Sequence, residues 1–243
     1  MCMRSMLVLV VWFTSSLGSR LGLAQPVAPF SSVGVAVKAS LLGAGLEVAT
    51  PLARRLNLRG GFNALSYDRG FNKDGIIYTG QLRFRSGEAH LDWFPFGGSF
   101  HLGPGALLYN GNQFHAGAAV PGGQTFTLNG TTYMSDPSDP VTGLGSVDYK
   151  KAGPMITAGW GNLVKRHGRF SIPFEFGAIY TGAPRAALNL TGGACDPNGI
   201  VCEPIASDPD ILANVAAEQA KINKDIAPFK FYPVISLGFG VKF

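Results

Sequence analysis

The sequence predicts an all-β protein: a transmembrane, antiparallel, up-and-down β-barrel of about eight strands, with one short helix before the last strand. Three observations predict this fold. The N-terminal residues have the pattern of an export signal. The segments that follow alternate apolar and polar residues with period 2, which is typical of strands with one apolar face. The last alternating segment ends on the C-terminal residue, Phe243.

The export signal occupies the start of the chain. Arg4 precedes an apolar stretch that ends at Phe13, and small residues just before Gln25 suit signal-peptidase cleavage there. The apolar stretch is too short to cross a bilayer as a helix. We therefore expect residues 1–24 to be a signal peptide and residues 25–243 to form one barrel domain.

Charge and hydropathy exclude some classes of function. Removing residues 1–24 removes two arginines and no acid, so the formal charge falls from +5 to +3. No basic cluster interleaves with aromatic residues, so nucleic acid is not an expected partner. No stretch after residue 25 approaches 20 apolar residues, so no transmembrane helix is expected. Such an exported chain is either a soluble periplasmic β-protein or a membrane barrel, because only helices and closed barrels satisfy all backbone groups in lipid.

The final segment, FYPVISLGFGVKF, has the clearest alternation. Its odd-numbered positions from 235 to 243 are all apolar, and the even positions between them are small or polar. Alternation alone also suits a half-buried sandwich strand, so the charged residues decide between the two folds. Between Ile76 and Arg85, two arginines lie opposite the apolar residues. Arginine in a soluble core is unfavourable unless paired, whereas arginine in a barrel lumen is expected.

The lengths of the connections predict the topology. Short connections at 51–55, 95–98 and 165–169 suit periplasmic turns, and longer ones at 69–75, about 115–147 and about 191–228 suit external loops. This arrangement places both termini on the periplasmic side. The eight strands are expected near 31–39, 43–50, 56–68, 76–94, 98–114, 147–162, 169–190 and 229–243. Two alternatives stay open: residues 33–50 as one long strand, and an extra hairpin at 124–134 that would raise the count to ten.

One segment departs from the strand pattern. Between Asp208 and Ile226 the apolar residues recur at near-helical intervals, which predicts a short amphipathic helix before the last strand. Asp208 is expected to cap this helix, with Pro209 at its first position.

Two cysteines, Cys195 and Cys202, remain in the mature chain. Exported proteins mature in an oxidising compartment, so we predict a disulfide that stiffens a surface loop. A metal site is the alternative, but no histidine lies near either cysteine in the sequence.

The candidate functional residues are charged side chains that face the lumen. Glu88, His90 and Asp92 alternate on one strand, and a bulge at Gly87 would bring them to the face of the preceding arginines. An eight-stranded barrel is just wide enough for side chains to fill its interior, so we expect a paired polar network. Its predicted members are Glu47, Arg59, Arg83, Arg85, Glu88, His90, Asp92 and Glu175.

Catalysis is a remote alternative for the same residues. His90 could act as a general base in a barrel-embedded hydrolase. Ser86 and Ser99 are near it only in sequence, so no nucleophile is identified. We therefore predict no enzyme, no catalytic residue, no metal and no cofactor.

The end of the chain resembles the C-terminal assembly signal of outer-membrane proteins, in which apolar residues alternate and the last residue is aromatic. Phe239, Val241 and Phe243 match that pattern. Residues from about 31 to 243 resemble the broad superfamily of small barrels related in architecture to OmpA-type transmembrane domains, OmpW and OmpX. The resemblance implies location in the bacterial outer membrane, with the lipid bilayer and the outer-membrane assembly machinery as partners.

Two functions stay open at this point. The barrel could have a structural or surface-interaction role, with a largely filled lumen and long external loops that contact an unknown partner. Alternatively, it could be a porin-like, narrow channel for small solutes or ions. The inward positions of Gly177, Gly238 and Gly240 would leave room in the lumen for such a path.

Overall fold

A closed barrel of eight antiparallel strands forms the body of the protein. The computed structural model describes residues 28–243, so the predicted signal peptide, residues 1–24, lies outside them. Strands are numbered in chain order over the described residues. The barrel consists of β1 (Gly34–Ser40), β2 (Gly43–Ala53), β3 (Leu56–Lys73), β4 (Ile76–Trp93), β5 (Phe100–Asn110), β10 (Gly153–Trp160), β12 (Phe174–Tyr180) and β16 (Phe231–Lys242).

The last strand closes the barrel. β16 pairs with β1 along the full length of β1, from Gly34 opposite Lys242 to Ser40 opposite Ser236. The prediction of an eight-stranded barrel is confirmed. The alternative of one long strand over 33–50 is wrong, because the chain turns at 41–42 and β2 pairs back onto β1.

The outer surface of the barrel is apolar. Val37, Leu46, Ile156 and Leu237 all point outward, and each is more than half exposed. So large an apolar surface is unfavourable in water, whereas lipid accommodates it. The chain is thus a transmembrane barrel of the outer-membrane type. No helix within residues 28–243 is long and apolar enough to cross a membrane.

One end of the barrel, which we call the turn end, holds both described chain ends. It also holds the three short connections, residues 54–55, 94–99 and 161–169. Aromatic rings cluster on its outer surface. Phe100 and Trp160 have ring centroids 5.5 Å apart, and Phe170 and Phe239 lie 5.8 Å apart. Aromatic girdles of this kind mark the membrane interface. Phe94 differs, because it is buried and faces the interior.

The opposite end, which we call the loop end, carries a second sheet. β3 and β4 have 18 residues each, more than a membrane-spanning strand needs, and they continue beyond the barrel as a hairpin. There β4 pairs with β6 (Gln113–Ala119). β6 in turn pairs with β9 (Thr142–Asp148), and β9 pairs with β13 (Arg185–Thr191). The 18-residue helix α1 (Pro209–Ile226) packs against β13.

A smaller sheet completes the part outside the barrel. Its strands are β7 (Thr125–Leu128), β8 (Thr131–Ser135), β14 (Gly193–Cys195) and β15 (Cys202–Pro204). The hairpin expected at 124–134 is therefore present, but it is not part of the barrel wall. The two-residue strand β11 (Phe170–Ser171) pairs with β16 at the turn end. We call residues 66–83, 112–152 and 181–230 together the platform.

Helix α1 covers the edge of the platform sheet. Its start is as predicted, since the Asp208 side chain accepts hydrogen bonds from the backbone N–H groups of Asp210 and Ile211. The side chain of Asn223 bonds both the N–H and the C=O of Ala186 in β13, at 2.8 and 2.9 Å. These bonds satisfy backbone groups that an edge strand would otherwise leave open.

An apolar core and a disulfide hold the platform together. The core contains Val120, Leu128, Val141, Ile205 and Ile211, all less than 9% exposed. The predicted disulfide is present, and it joins Cys195 of β14 to the directly opposite Cys202 of β15.

Candidate functional site in the barrel lumen

The lumen contains a buried charged cluster halfway along the barrel. Each barrel strand alternates, so every second side chain points inward, and the inward ones here are polar. We call this group the lumen cluster; its members are Lys38, Glu47, Arg59, Glu88, His90, Asp92, His101 and Glu175. All eight are at most 7% exposed.

Arg59 is the centre of the lumen cluster. Its Nε donates to Asp92 Oδ2 at 2.8 Å, and its Nη2 donates to Asp92 Oδ1 at 3.0 Å. Nη1 and Nη2 also donate to the two carboxylate oxygens of Glu175, at 3.0 and 2.5 Å. Nη1 reaches Glu47 Oε1 as well, at 2.5 Å. All five N–H donors of the guanidinium are thus used, which satisfies a buried arginine.

Lys38 links two further carboxylates. Its Nζ donates to Glu47 Oε1 at 2.8 Å and also bonds Glu88 Oε1. Glu47 therefore bridges Lys38 and Arg59 and connects both halves of the cluster. Four carboxylates, Glu47, Glu88, Asp92 and Glu175, face two permanent cations, so the acids outnumber the bases by two.

The two histidines of the lumen cluster have different surroundings. His101 Nε2 bonds Glu175 Oε1 at 2.8 Å, but its Nδ1 has no partner within residues 28–243. His90 is 2% exposed, and neither of its ring nitrogens has a partner in that part of the chain. Ser86 does not approach His90 and instead accepts a hydrogen bond from Asn63 Nδ2 at 3.2 Å.

Apolar layers lie on both sides of the lumen cluster. Toward the loop end, the residues Leu42, Leu107, Met155, Ile179 and Val234 form a buried group. Toward the turn end, Leu163 and Val164 of the 161–169 connection pack against Ala36 and Ala49. The lumen is therefore filled at three levels.

Arg83 and Arg85 are not in the lumen cluster, and their predicted place in the lumen is wrong. The prediction needed a bulge at Gly87, but β4 pairs with β3 in one unbroken register. The irregularity lies in β5, where the pairing of β4 jumps from Tyr109 to Leu107 and leaves Leu108 as the extra residue. Because β4 gains no residue, both arginines stay on its outward face.

Arg83 instead forms an ion pair on the platform. Its Nη1 lies 2.6 Å from Asp68 Oδ1, and both side chains are substantially exposed. The hydrogen bond from Arg83 holds the pKa of Asp68 below its ordinary value, because it favours the charged carboxylate. Arg85 is exposed on the same face.

The inward glycines do not leave an open path in the described part of the lumen. A β-carbon on Gly240 would collide with Leu163, and one on Gly238 would lie 3.0 Å from Pro173 Cγ. At Gly177 a β-carbon would collide with the backbone of Ile156. These glycines allow close packing, so the space expected from them is already occupied.

A vestibule opens at the turn end of the barrel. Its volume is about 870 Å³, and it reaches inward to Asn57 and Phe94. The charged side chains of its lining are all basic or histidine: Arg54, Lys165, Arg166, His167 and Lys242. The Phe94 ring lies between the vestibule and the lumen cluster, with its centroid 5.3 Å from the His101 ring.

Two members of the lumen cluster, Lys38 and His101, were not predicted from the sequence. The signal was the phase of the alternation, since Lys38 lies between the outward Val37 and Ala39, and His101 between the outward Phe100 and Leu102. The partner of His101, Glu175, lies on another strand, so the sequence gives no spacing that links the two.

Comparisons with known proteins identify the fold. No protein-family model and no curated protein matches the chain. Among solved structures, CarO of Acinetobacter baumannii is similar with a TM-score of 0.58 at 20% sequence identity. CarO2 of the same organism is similar with a TM-score of 0.57 at 17% identity. In both cases the match covers 90% of this chain and 100% of the other. At these identities the likeness is one of fold.

Proposed function

We propose that this outer-membrane barrel is a closed membrane anchor that presents its platform to a partner outside the membrane. The filled lumen carries this proposal. A conducting path would have to cross both apolar layers and the lumen cluster between them. Opening such a path requires displacing the fully bonded Arg59, which holds three carboxylates at once.

The order of the platform supports an interaction role. Long connections between strands usually either serve a function or remain disordered. In this protein they are ordered, since they are folded into strands, a helix and a disulfide-linked hairpin. The outward face of the platform sheet holds a concavity of about 490 Å³. Its polar lining residues are Thr79, Gln81, His115, Ser146 and Asn189.

Conductance in a planar bilayer tests the closed lumen. The refolded mature chain should give no discrete current steps, while retaining the heat-dependent gel mobility of a folded barrel. A variant lacking the turn-end layer, Leu163→Gly with Val164→Gly, should stay silent too, because the lumen cluster and the second layer remain. Reproducible steps from the unaltered chain would contradict the proposal.

Labelling of intact cells tests which end faces outward. Ser138→Cys places a thiol on an exposed loop of the platform, and Gly98→Cys places one in open space at the turn end. Cys195 and Cys202 are paired with each other, so each variant has one free thiol among residues 28–243. A membrane-impermeant maleimide should label the platform variant only. Labelling of Gly98→Cys alone would place the platform on the periplasmic side and refute the proposed orientation.

A narrow channel is the second candidate function. The vestibule favours it, because an opening of about 870 Å³ with a cationic lining would concentrate small anions at the turn end. In that case the conductance steps should be anion-selective, and Lys165→Gln with Arg166→Gln should reduce the selectivity.

We also propose that Phe239, Val241 and Phe243 act as the signal for assembly into the membrane. Phe239 and Phe243 are exposed on the outer face of the closing strand, where another protein can contact them before β16 pairs with β1. Phe243→Ser should lower the amount of folded protein in the outer membrane, and Phe229→Ser, outside the strand, should not. Equal amounts from both variants would contradict this role.

A further inference from the structure

The lumen cluster holds four metal-ligating side chains within a small volume. Asp92, His101 and Glu175 come from three strands, and their ligand atoms all lie within 4.8 Å of one another. His90 is next to Asp92 on the inward face of β4. All four side chains are buried. Imidazole nitrogen together with carboxylate oxygen is a typical donor set for Zn²⁺ and for similar divalent transition-metal ions.

Glycines on the facing strand create the space between these donors. A β-carbon on Gly103 would lie 3.0 Å from Asp92 Oδ1, 3.5 Å from His90 Nδ1 and 2.6 Å from Thr157 Oγ1. Two of these donors, Asp92 Oδ1 and His90 Nδ1, therefore border a point that any other residue at position 103 would fill. Gly105 has the same effect one step along β5, since a β-carbon there would lie 2.9 Å from His90 Nδ1.

Two further observations point to a cation at this place. Both nitrogens of the buried His90 ring, and Nδ1 of His101, lack partners within residues 28–243, although buried polar atoms are normally bonded. In addition, four carboxylates in the cluster face only Lys38 and Arg59. One divalent cation would balance the remaining two negative charges while both imidazoles stay neutral.

We propose that His90, Asp92, His101 and Glu175 form a binding site for one divalent transition-metal ion such as Zn²⁺. Ligand atoms around a tetrahedral zinc are about 3.4 Å apart at bond lengths of about 2.1 Å. Asp92, His101 and Glu175 therefore have to move inward by about 1 Å, which rotation about their χ angles allows. His90 would complete the set from the next inward position of β4. Arg59 bonds both oxygens of each carboxylate and orients them, so the ion would use a second lone pair of an oxygen that Arg59 already bonds.

The ion would stabilise the barrel as a structural centre. It would join the neighbouring strands β4 and β5 to β12, which lies two strands further round the barrel. The apolar layer at the turn end and Phe94 separate the site from the vestibule, so loading is expected during folding. The inference does not depend on whether the lumen conducts.

Zinc content of the folded chain tests the site. The tag-free mature chain is refolded with Zn²⁺ present throughout, desalted, and analysed for metal by atomic emission. The unaltered chain should retain one zinc. His90→Gln and His101→Gln, refolded and desalted in the same way, should each retain less than about a tenth of that zinc. The chain has four histidines, so His115→Gln and His167→Gln serve as matched controls and should bind as the unaltered chain does.

Heat-dependent gel mobility confirms that each variant is folded before its zinc is measured. If a lumen variant fails to fold, the unaltered chain is loaded with Co²⁺ and its visible spectrum is recorded as the alternative test. Low-coordinate Co²⁺ absorbs strongly, whereas hydrated Co²⁺ does not. Three results would overturn the site: a folded unaltered chain without retained zinc and with only the hydrated Co²⁺ spectrum, zinc retained in both lumen variants, or zinc lost with His115→Gln.

Discussion

Replacing Arg59 with methionine removes the centre of the lumen cluster while keeping a side chain of similar length. Methionine makes none of the five hydrogen bonds that Arg59 donates to Glu47, Asp92 and Glu175. The variant then has four buried carboxylates facing Lys38 alone. The charge imbalance of the cluster rises from two to three negative charges.

The expected loss of unfolding free energy follows from that imbalance. Removing one partner of a buried ion pair typically destabilises a protein by about 3–5 kcal/mol, because the remaining charge is left buried and uncompensated. With a urea slope of about 3 kcal/mol per molar, the unfolding midpoint should fall by about 1–2 M. The variant Arg59→Met with Asp92→Asn and Glu175→Gln should recover at least half of this loss, because only one excess negative charge remains.

Urea unfolding of the refolded barrel, followed by tryptophan fluorescence and by heat-dependent gel mobility, measures the effect. Arg83→Met is the matched control, since Arg83 pairs with Asp68 where both are exposed. Its midpoint should equal that of the unaltered chain within the error of the assay. If Arg59→Met also left the midpoint unchanged, or the triple variant were less stable than Arg59→Met, the lumen cluster would not hold the barrel together in this way.

Three further outcomes are expected on the platform. Asn223→Ala should reduce the protection of the Ala186 amide from hydrogen exchange about fivefold, since one hydrogen bond contributes about 1 kcal/mol; Lys224→Ala, on the exposed side of the helix, should leave it unchanged. Cys195→Ala should lower platform stability by about 2 kcal/mol, because the disulfide closes a short loop with a sequence separation of 7; protease cleavage at 196–201 should then speed up, and an unaltered rate would contradict this. Hydrogen bonds from the N–H groups of Val201 and Ile200 hold the pKa of Asp196 below its ordinary value. The bonded loop is therefore stabilised at neutral pH and loses that stability as the pH falls through the lowered pKa. A ¹³C titration of the Asp196 carboxyl with a midpoint at or above 3.8 would refute this pH dependence.

Local features of the chain predicted much of the fold. Period-2 alternation and the lengths of the connections together predicted a strand at each of the eight barrel positions, because each such strand faces lipid on one side and the lumen on the other. The predicted segment 169–190 was too long, since it also includes most of the platform strand β13. The helix start was predictable from Asp208 and Pro209, since capping needs only adjacent residues. The disulfide was predictable because its two cysteines are close in sequence and the chain is exported.

Features that depend on strand register were not predictable in the same way. Whether Arg83 shares a face with Glu88 depends on which strand contains the bulge, and it is β5 at Leu108. A bulge at Gly87 would have turned Arg83 and Arg85 into the lumen, because a shift of one residue reverses the direction of the side chains on one side of it. The prediction of that bulge therefore placed both arginines on the wrong face. Leu163 was unexpected as a lumen residue for a different reason. It belongs to a turn, where no alternation indicates a direction.

By itself, then, the sequence determined the barrel strands, the capped helix and the disulfide, since each depends on residues near one another in the chain. Only the tertiary structure decided what fills the lumen. Glu175 bonds both His101 and Arg59 because the sheet curls into a barrel and brings together inward side chains from strands far apart in sequence. The same curvature brings the ligand atoms of Asp92, His101 and Glu175 to within 4.8 Å of one another, although they lie on β4, β5 and β12.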